Sequence, residues 1–148
     1  MTSVRKAVAY LWASPWTALG LVLGALAWLA GATLRQVDGT LEIAGGALAR
    51  FASRAPGCAS FVAITFGHVI LGTDHATLAQ LRRHEHAHVR QYERWGPLFV
   101  PLYLGSSVWH GLRSGAPHRD NAFERAARAA ELGPPAAVPR HSRSARRR

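Results

Sequence analysis

The sequence predicts an α+β fold built from an N-terminal apolar helix, a small β-sheet, a long charged helix and a further C-terminal helix. Three observations carry this. Residues 7–34 hold no charged side chain. Short β-branched and aromatic runs, bounded by Gly, Pro and Asp, fall between residues 34 and 72. Two segments with helical period follow, each opened by a capping residue. A chain of 148 residues has room for one core of modest size. The segments divide as 1–34, an apolar N-terminal segment; 35–133, a domain of strands and helices holding seven of the eight histidines; and 134–148, a basic tail expected to be disordered.

Thr17 to Leu34 is continuous in apolar and small residues. As a helix those residues reach about 27 Å, enough for the hydrocarbon core of a bilayer. Trp12, Trp16 and Trp28 suit the two interfaces. A membrane anchor is the leading reading, which makes membrane lipid a partner. A signal peptide fits the basic start and Ala30-Gly31-Ala32, but fits Pro15 and the length before the run less well. A buried core helix fits the dilution by Gly20, Gly24 and Gly31. Arg5 and Lys6 before the run oppose Arg35, Arg50 and Arg54 after it, so the charges leave the side of the membrane undetermined.

Leu34 to Ala44 reads as two extended pieces joined by Asp38-Gly39, a dipeptide suited to a hairpin turn with positive φ at both central residues. Ala47 to Arg54 has the length of a short helix before a Pro56-Gly57 loop. Phe61 to Leu71 is the strongest strand, with Ile64, Phe66, His68 and Ile70 on one face. A free edge there offers backbone hydrogen bonds to a peptide. His68 is read as a packed or surface strand residue rather than a ligand. Thr73 or Asp74 caps the helix that follows.

That helix, Asp74 to Gly96, contains His84-Glu85-x-x-His88. Residues four apart lie on one helical face, so both imidazoles can address one ion with Glu85 beside them. Zinc held by two neutral imidazoles and a third protein ligand leaves a position open for water, and an adjacent unbound carboxylate can take that water's proton. With eight His and five Glu in the chain, roughly 0.014 such matches arise by chance. The competing reading is a solvated charged face, since Arg82, Arg83, Arg90, Glu93 and Arg94 surround the motif. Leu78, Leu81, His84, Glu85, His88, Tyr92 and Trp95 nevertheless share one stripe, and charges on an apolar face need a partner.

Gly96 and Pro97 end the helix. Pro97 to Leu112 is apolar but broken by Pro101 and Gly105, suited to covering the core or dipping into a membrane interface. A polar loop, Gly111 to His118, leads to a last helix opened at Asp120. Two histidines alone make a weak site, so a third ligand must come from elsewhere. Glu124 is the choice, although it has the spacing of a capping box with Asn121 and of an ion pair with Arg128. His118, Asp120 and His110 compete for that role. Tyr103 and His110 can polarise a carbonyl near the metal, but the leading readings are a packed Tyr and a surface His.

The net charge of +10 comes almost wholly from arginine, Lys6 being the one lysine. Such a balance suits nucleic acid or an anionic membrane, but no basic and aromatic motif of a nucleic-acid module is present, so no specific nucleic-acid partner is expected. Cys58 stands alone, which excludes a disulfide within the chain and a Cys-x-x-Cys zinc knuckle.

His84-Glu85-x-x-His88 followed downstream by Asn121-x-Phe123-Glu124 resembles the gluzincin group of zinc metallopeptidases. HEHAHVRQYERWGPLFVPLY with RDNAFERAA also resembles small bacterial membrane proteins of unassigned function. The peptidase likeness covers Phe61 to Glu131. It implies a zincin-like active-site helix after a strand edge, His84, His88 and Glu124 as ligands of Zn2+, Glu85 as the general base, and a peptide or protein substrate. The sequence departs from that group at Arg83 and Arg90, which put charge next to the motif, and in lacking an obvious transition-state stabiliser. The expected function is therefore a membrane-associated zinc-dependent metallopeptidase or hydrolase. The alternative is a non-catalytic membrane adaptor whose metal pins two helices together.

Overall fold

The structure, a computed structural model, describes residues 3–54, 62–115 and 118–133. Cys58, the Pro56-Gly57 loop, the start of the expected strand at Phe61 and the arginine-rich tail lie outside them. Helix α1 (Ser3–Leu29) precedes a hairpin of β1 (Thr33–Val37) and β2 (Thr40–Ala44), then helix α2 (Gly46–Arg54). A second hairpin, β3 (Ala63–Phe66) and β4 (Val69–Gly72), leads to α3 (His75–Trp95). A short 3-10 turn, Gly96–Leu98, connects α3 to α4 (Phe99–Ser114), and α5 (Ala122–Glu131) follows. The four strands form one mixed sheet in the order β1-β2-β4-β3, with β2 and β4 parallel and the two hairpins antiparallel. The fold is α+β, as the sequence predicts.

The first hairpin turns at Asp38 and Gly39, whose φ angles of 47° and 82° are the positive values the dipeptide tolerates. Phe61 to Leu71 does not form one strand. Gly67, at φ 58°, folds it back on itself, and the turn resets the alternation, so Ile64 and Phe66 face one side of the sheet and Ile70 the other. The reason is a tertiary contact: a Cβ at Gly67 would run into the Thr17 side chain, so the turn rests directly on α1. His68, in that turn, is buried and stacked on Tyr10 with ring centroids 3.8 Å apart, and its Nε2 lies 3.3 Å from Glu93 Oε1. It clips α1 and α3 to the sheet.

Alternation along the strands divides the core in two. Ile43, Val69 and Leu71 face α1, where Ala27 and Ala32 complete one cluster; Ala44 and Ile70 face α3, where Leu78 and Val89 complete the other. Buried Glu42 also faces α3, and its carboxylate takes two hydrogen bonds from Arg82, at 2.9 and 3.2 Å. Helix α1 packs through small residues: Gly20 lies against Val69 and Phe66, and Gly24 against Ile43. Helix α1 and one face of the sheet thus share a packed cluster. Pro15 leaves the Leu11 carbonyl without its helical donor, and the Ser14 hydroxyl takes it over at 2.7 Å. Trp12 packs on Gly96 and Trp16 Nε1 donates to the Pro97 carbonyl at 3.2 Å, so those two indoles serve packing as well as any interface. Among the described residues, Val4–Leu29 is the one helix long and apolar enough to cross a membrane.

Pro97 to Leu112 is not broken at Pro101 or Gly105, although the 16 residues of α4 fall short of a membrane span. Pro101 falls in the first turn of α4, where its missing N–H costs no helical bond, and the helix runs on to Ser114 through what the sequence suggests is loop.

Candidate metal centre

Helix α3 starts where Asp74 accepts from the Thr77 amide at 2.8 Å and stops at Gly96, whose N–H bonds the Tyr92 carbonyl. Between these caps the helix lies on the sheet with Leu78, Glu85, His88 and Tyr92 buried, while Trp95 is 38% exposed and leaves the predicted stripe. Helix α5 packs against α3. Asn121 caps it by accepting from the Phe123 amide at 2.9 Å, and the same side chain donates to the Tyr103 carbonyl and to Ser107 Oγ, fixing α5 against α4.

Glu124 is buried at 3% exposure and does not close a capping box. Arg128 bonds the Glu124 backbone carbonyl instead of its carboxylate. The carboxylate turns to α3, with Oε1 3.3 Å from His88 Nε2 and Oε2 3.6 Å from His84 Nε2. The two imidazole Nε2 atoms are 3.1 Å apart. His84, His88 and Glu124 thus form a group that could hold a metal ion.

The surrounding hydrogen bonds aim the ligand atoms. Gln91 Nε2 donates to the Phe123 carbonyl at 3.0 Å, which leaves its Oε1 to accept from His88 Nδ1 at 2.9 Å. A neutral His88 that donates from Nδ1 to Gln91 turns its Nε2 lone pair into the group, the form a metal ligand needs. On His84 the Nδ1 lies 2.9 Å from Glu131 Oε1, close enough for charge attraction although without the alignment of a hydrogen bond. Three residues that sequence reasoning missed, Gln91, Glu131 and Thr65, thus support those it chose. Gln91 and Glu131 carry no motif, and only packing reveals them.

Glu85 is buried and outside the three-residue group; Thr65 on β3 donates to its Oε2 at 2.7 Å. Of the competing ligands, His118 is largely exposed and approaches Glu124 Oε2 from outside at 3.5 Å, Asp120 pairs with Arg119 at 3.7 Å, and His110 does not join the group. Tyr103 from α4 donates to Glu124 Oε1 at 2.8 Å and lies 3.1 Å from His118 Nδ1. A cavity of about 470 Å³ opens over this cluster, walled by residues 62–66 of the edge strand, by α3, and by Phe99, Val100 and Leu104 of α4. Burial pushes the Tyr92 phenol up, so it stays a donor to the Thr65 carbonyl at 3.1 Å.

Burial lowers His88, but the hydrogen bond and charge of Glu124, with Gln91, outweigh it and leave the imidazole above its ordinary 6.5. Burial raises Glu124, but His88 and Tyr103 more than offset it and hold the carboxyl at about 2, below the ordinary 4.5. The signs follow. Stability from the depressed Glu124 is present above 4.5 and lost as pH falls toward 2; stability from the raised His88 is present below 6.5 and lost as pH rises through its folded value. Metal-free protein is therefore expected to gain most from this pair between about pH 4.5 and 6.5, read from thermal unfolding in chelator across pH. A melting temperature that rises steadily from pH 6 to 9 would contradict it.

A scan against protein-family models and searches of curated proteins and of solved structures found nothing that matches this chain.

Proposed function

We propose that the chain is a membrane-associated, zinc-dependent hydrolase of gluzincin type, acting on peptide bonds. One observation carries the reading. Zinc with tetrahedral ligands at 2.0–2.1 Å separates neighbouring ligand atoms by about 3.3 Å. The His84 and His88 Nε2 atoms are 3.1 Å apart, and the Glu124 carboxylate meets His88 through Oε1 at 3.3 Å and His84 through Oε2 at 3.6 Å, close to that spacing; with one donor atom taken from each residue, the three lie within 4.8 Å of one another. These side chains would hold the ion, which supplies Lewis acidity toward a carbonyl and makes water nucleophilic near neutral pH.

The chain's own groups supply the rest. Glu85, next in sequence to a ligand and steadied by Thr65, takes the proton of the attacking water and passes it to the departing amine. The Tyr103 hydroxyl, at the edge of the group, can turn from Glu124 to a carbonyl oxygen as charge develops there. Strand β3 is a sheet edge and forms one wall of the cavity, which suits a peptide laid beside it. Helix α1, apolar on its outer side at Leu11, Val22, Leu26 and Leu29, supplies the attachment to lipid.

A structural metal that only pinned α3 to α5 would need no cavity over the ligands, and this favours turnover over an adaptor. The test is cleavage of peptides by the purified, zinc-loaded chain. Activity lost in chelator and restored by zinc supports the proposal; zinc held by four protein side chains, with no cleavage, supports the adaptor.

A further inference from the structure

Helix α4 is amphipathic in the reverse of the usual sense for a water-soluble protein. Three polar side chains in its middle face inward: Ser107 and Tyr103 bond Asn121 and Glu124, and Ser106 accepts from the Ala122 amide, while Arg113 in the last turn is exposed. Beyond Phe99 and Val100, which pack inward, its large apolar side chains face out. Leu102, Leu104, Val108, Trp109 and Leu112 are between 40% and 82% exposed, and they form a continuous stripe at helical spacing. In water this orientation leaves apolar area uncovered at a cost of about 25 cal/mol per Å². Beside hydrocarbon it is the favourable one, because hydroxyls bonded between helices and small inward residues are how helices pack in lipid.

Charge points to the same environment. Between Gly96 and Arg119 there is no Asp or Glu, and none occurs before Asp38, so neither α4 nor α1 carries an acid. The guanidinium of Arg113 lies over the Trp109 ring, 4.3 Å from its centroid, at the end of the helix. An indole and a cation side by side match the headgroup level of an anionic membrane.

We infer that the outer face of α4 lies in the surface of an anionic bilayer, as a second lipid-facing helix beside α1. The inference rests on the membrane association proposed above and adds a segment to it. It also locates the cavity. Val100, Tyr103 and Leu104 line the cavity from the same helix, so its mouth lies at the lipid surface. The substrate is then a segment of a protein that emerges from, or lies on, that surface.

The test uses the full chain with Cys58→Ser and a single new cysteine at Val108, Leu112 or, as control, Ala126 on the exposed side of α5, each carrying an environment-sensitive nitrobenzoxadiazole dye. The proteins are mixed with vesicles of phosphatidylcholine and phosphatidylglycerol in equal parts, with and without brominated acyl chains. Blue-shifted emission at 108 and 112, with most of it lost to bromolipid and none lost at 126, is expected. Protein that floats with vesicles but shows no bromolipid quenching at 108 and 112 would leave α1 as the sole attachment and overturn the inference. Concentration-dependent energy transfer between labelled copies, without bromolipid quenching, would mean that a second copy covers the face, and overturns it equally. Failure to float at all would remove both this inference and the membrane association beneath it.

Discussion

Glu85→Gln is expected to lower peptide hydrolysis by roughly 100- to 10,000-fold, the usual contribution of a positioned general base, while zinc content stays at the wild-type level. The amide keeps the size of the carboxylate and can still accept from the Thr65 hydroxyl, so the contact between α3 and β3 survives. What is lost is the capacity to take a proton. Glu85 stands outside the group of three donor atoms, and no ligand is removed. Elemental analysis beside single-turnover assays checks both halves. If the variant loses its zinc, Glu85 is a ligand and the division of roles is wrong. If it retains full activity, the proton goes elsewhere and the mechanism fails.

His88→Ala and Glu124→Ala are each expected to weaken zinc binding by more than about 100-fold. Loss of a mere supporting partner costs 10- to 100-fold in metal sites, and these residues offer the donor atoms themselves. The two variants report on different helices, α3 and α5. Isothermal titration of chelator-treated protein, with circular dichroism to confirm folding, reads the outcome. Glu124→Ala that folds and binds zinc as the wild type does would return the third-ligand role to His118, whose Nε2 already lies 3.5 Å from the Glu124 carboxylate. Gln91→Ala should fall between, because it frees the His88 ring without removing its nitrogen.

Much of the site was legible in advance because its parts are local. Asp74 and Gly96 mark the ends of α3 by backbone rules that need no tertiary contact, and the four-residue offset of His84 and His88 is a property of any helix. The Asp38-Gly39 turn was legible for the same reason. Phe61 to Leu71 reads as one strand because its β-branched residues suit a hairpin as well as a single extended run. Only the approach of Thr17, fifty residues upstream of Gly67, shows why the chain must turn there. The path of α4 is hidden in the sequence because Pro101 looks like a break unless it falls within a first turn.

By itself the sequence determined the α+β class, the capped helix that presents two imidazoles on one face, and a long uncharged stretch at the N-terminus. Each follows from periodicity and composition over one or two turns. Tertiary structure alone decided that the Glu124 carboxylate leaves its own helix cap and meets those imidazoles, that Gln91 and Thr65 hold His88 and Glu85, and that α1 seals one face of the sheet. The physical reason is distance along the chain: groups dozens of residues apart meet only where helices and sheet have packed, and no local preference encodes that angle.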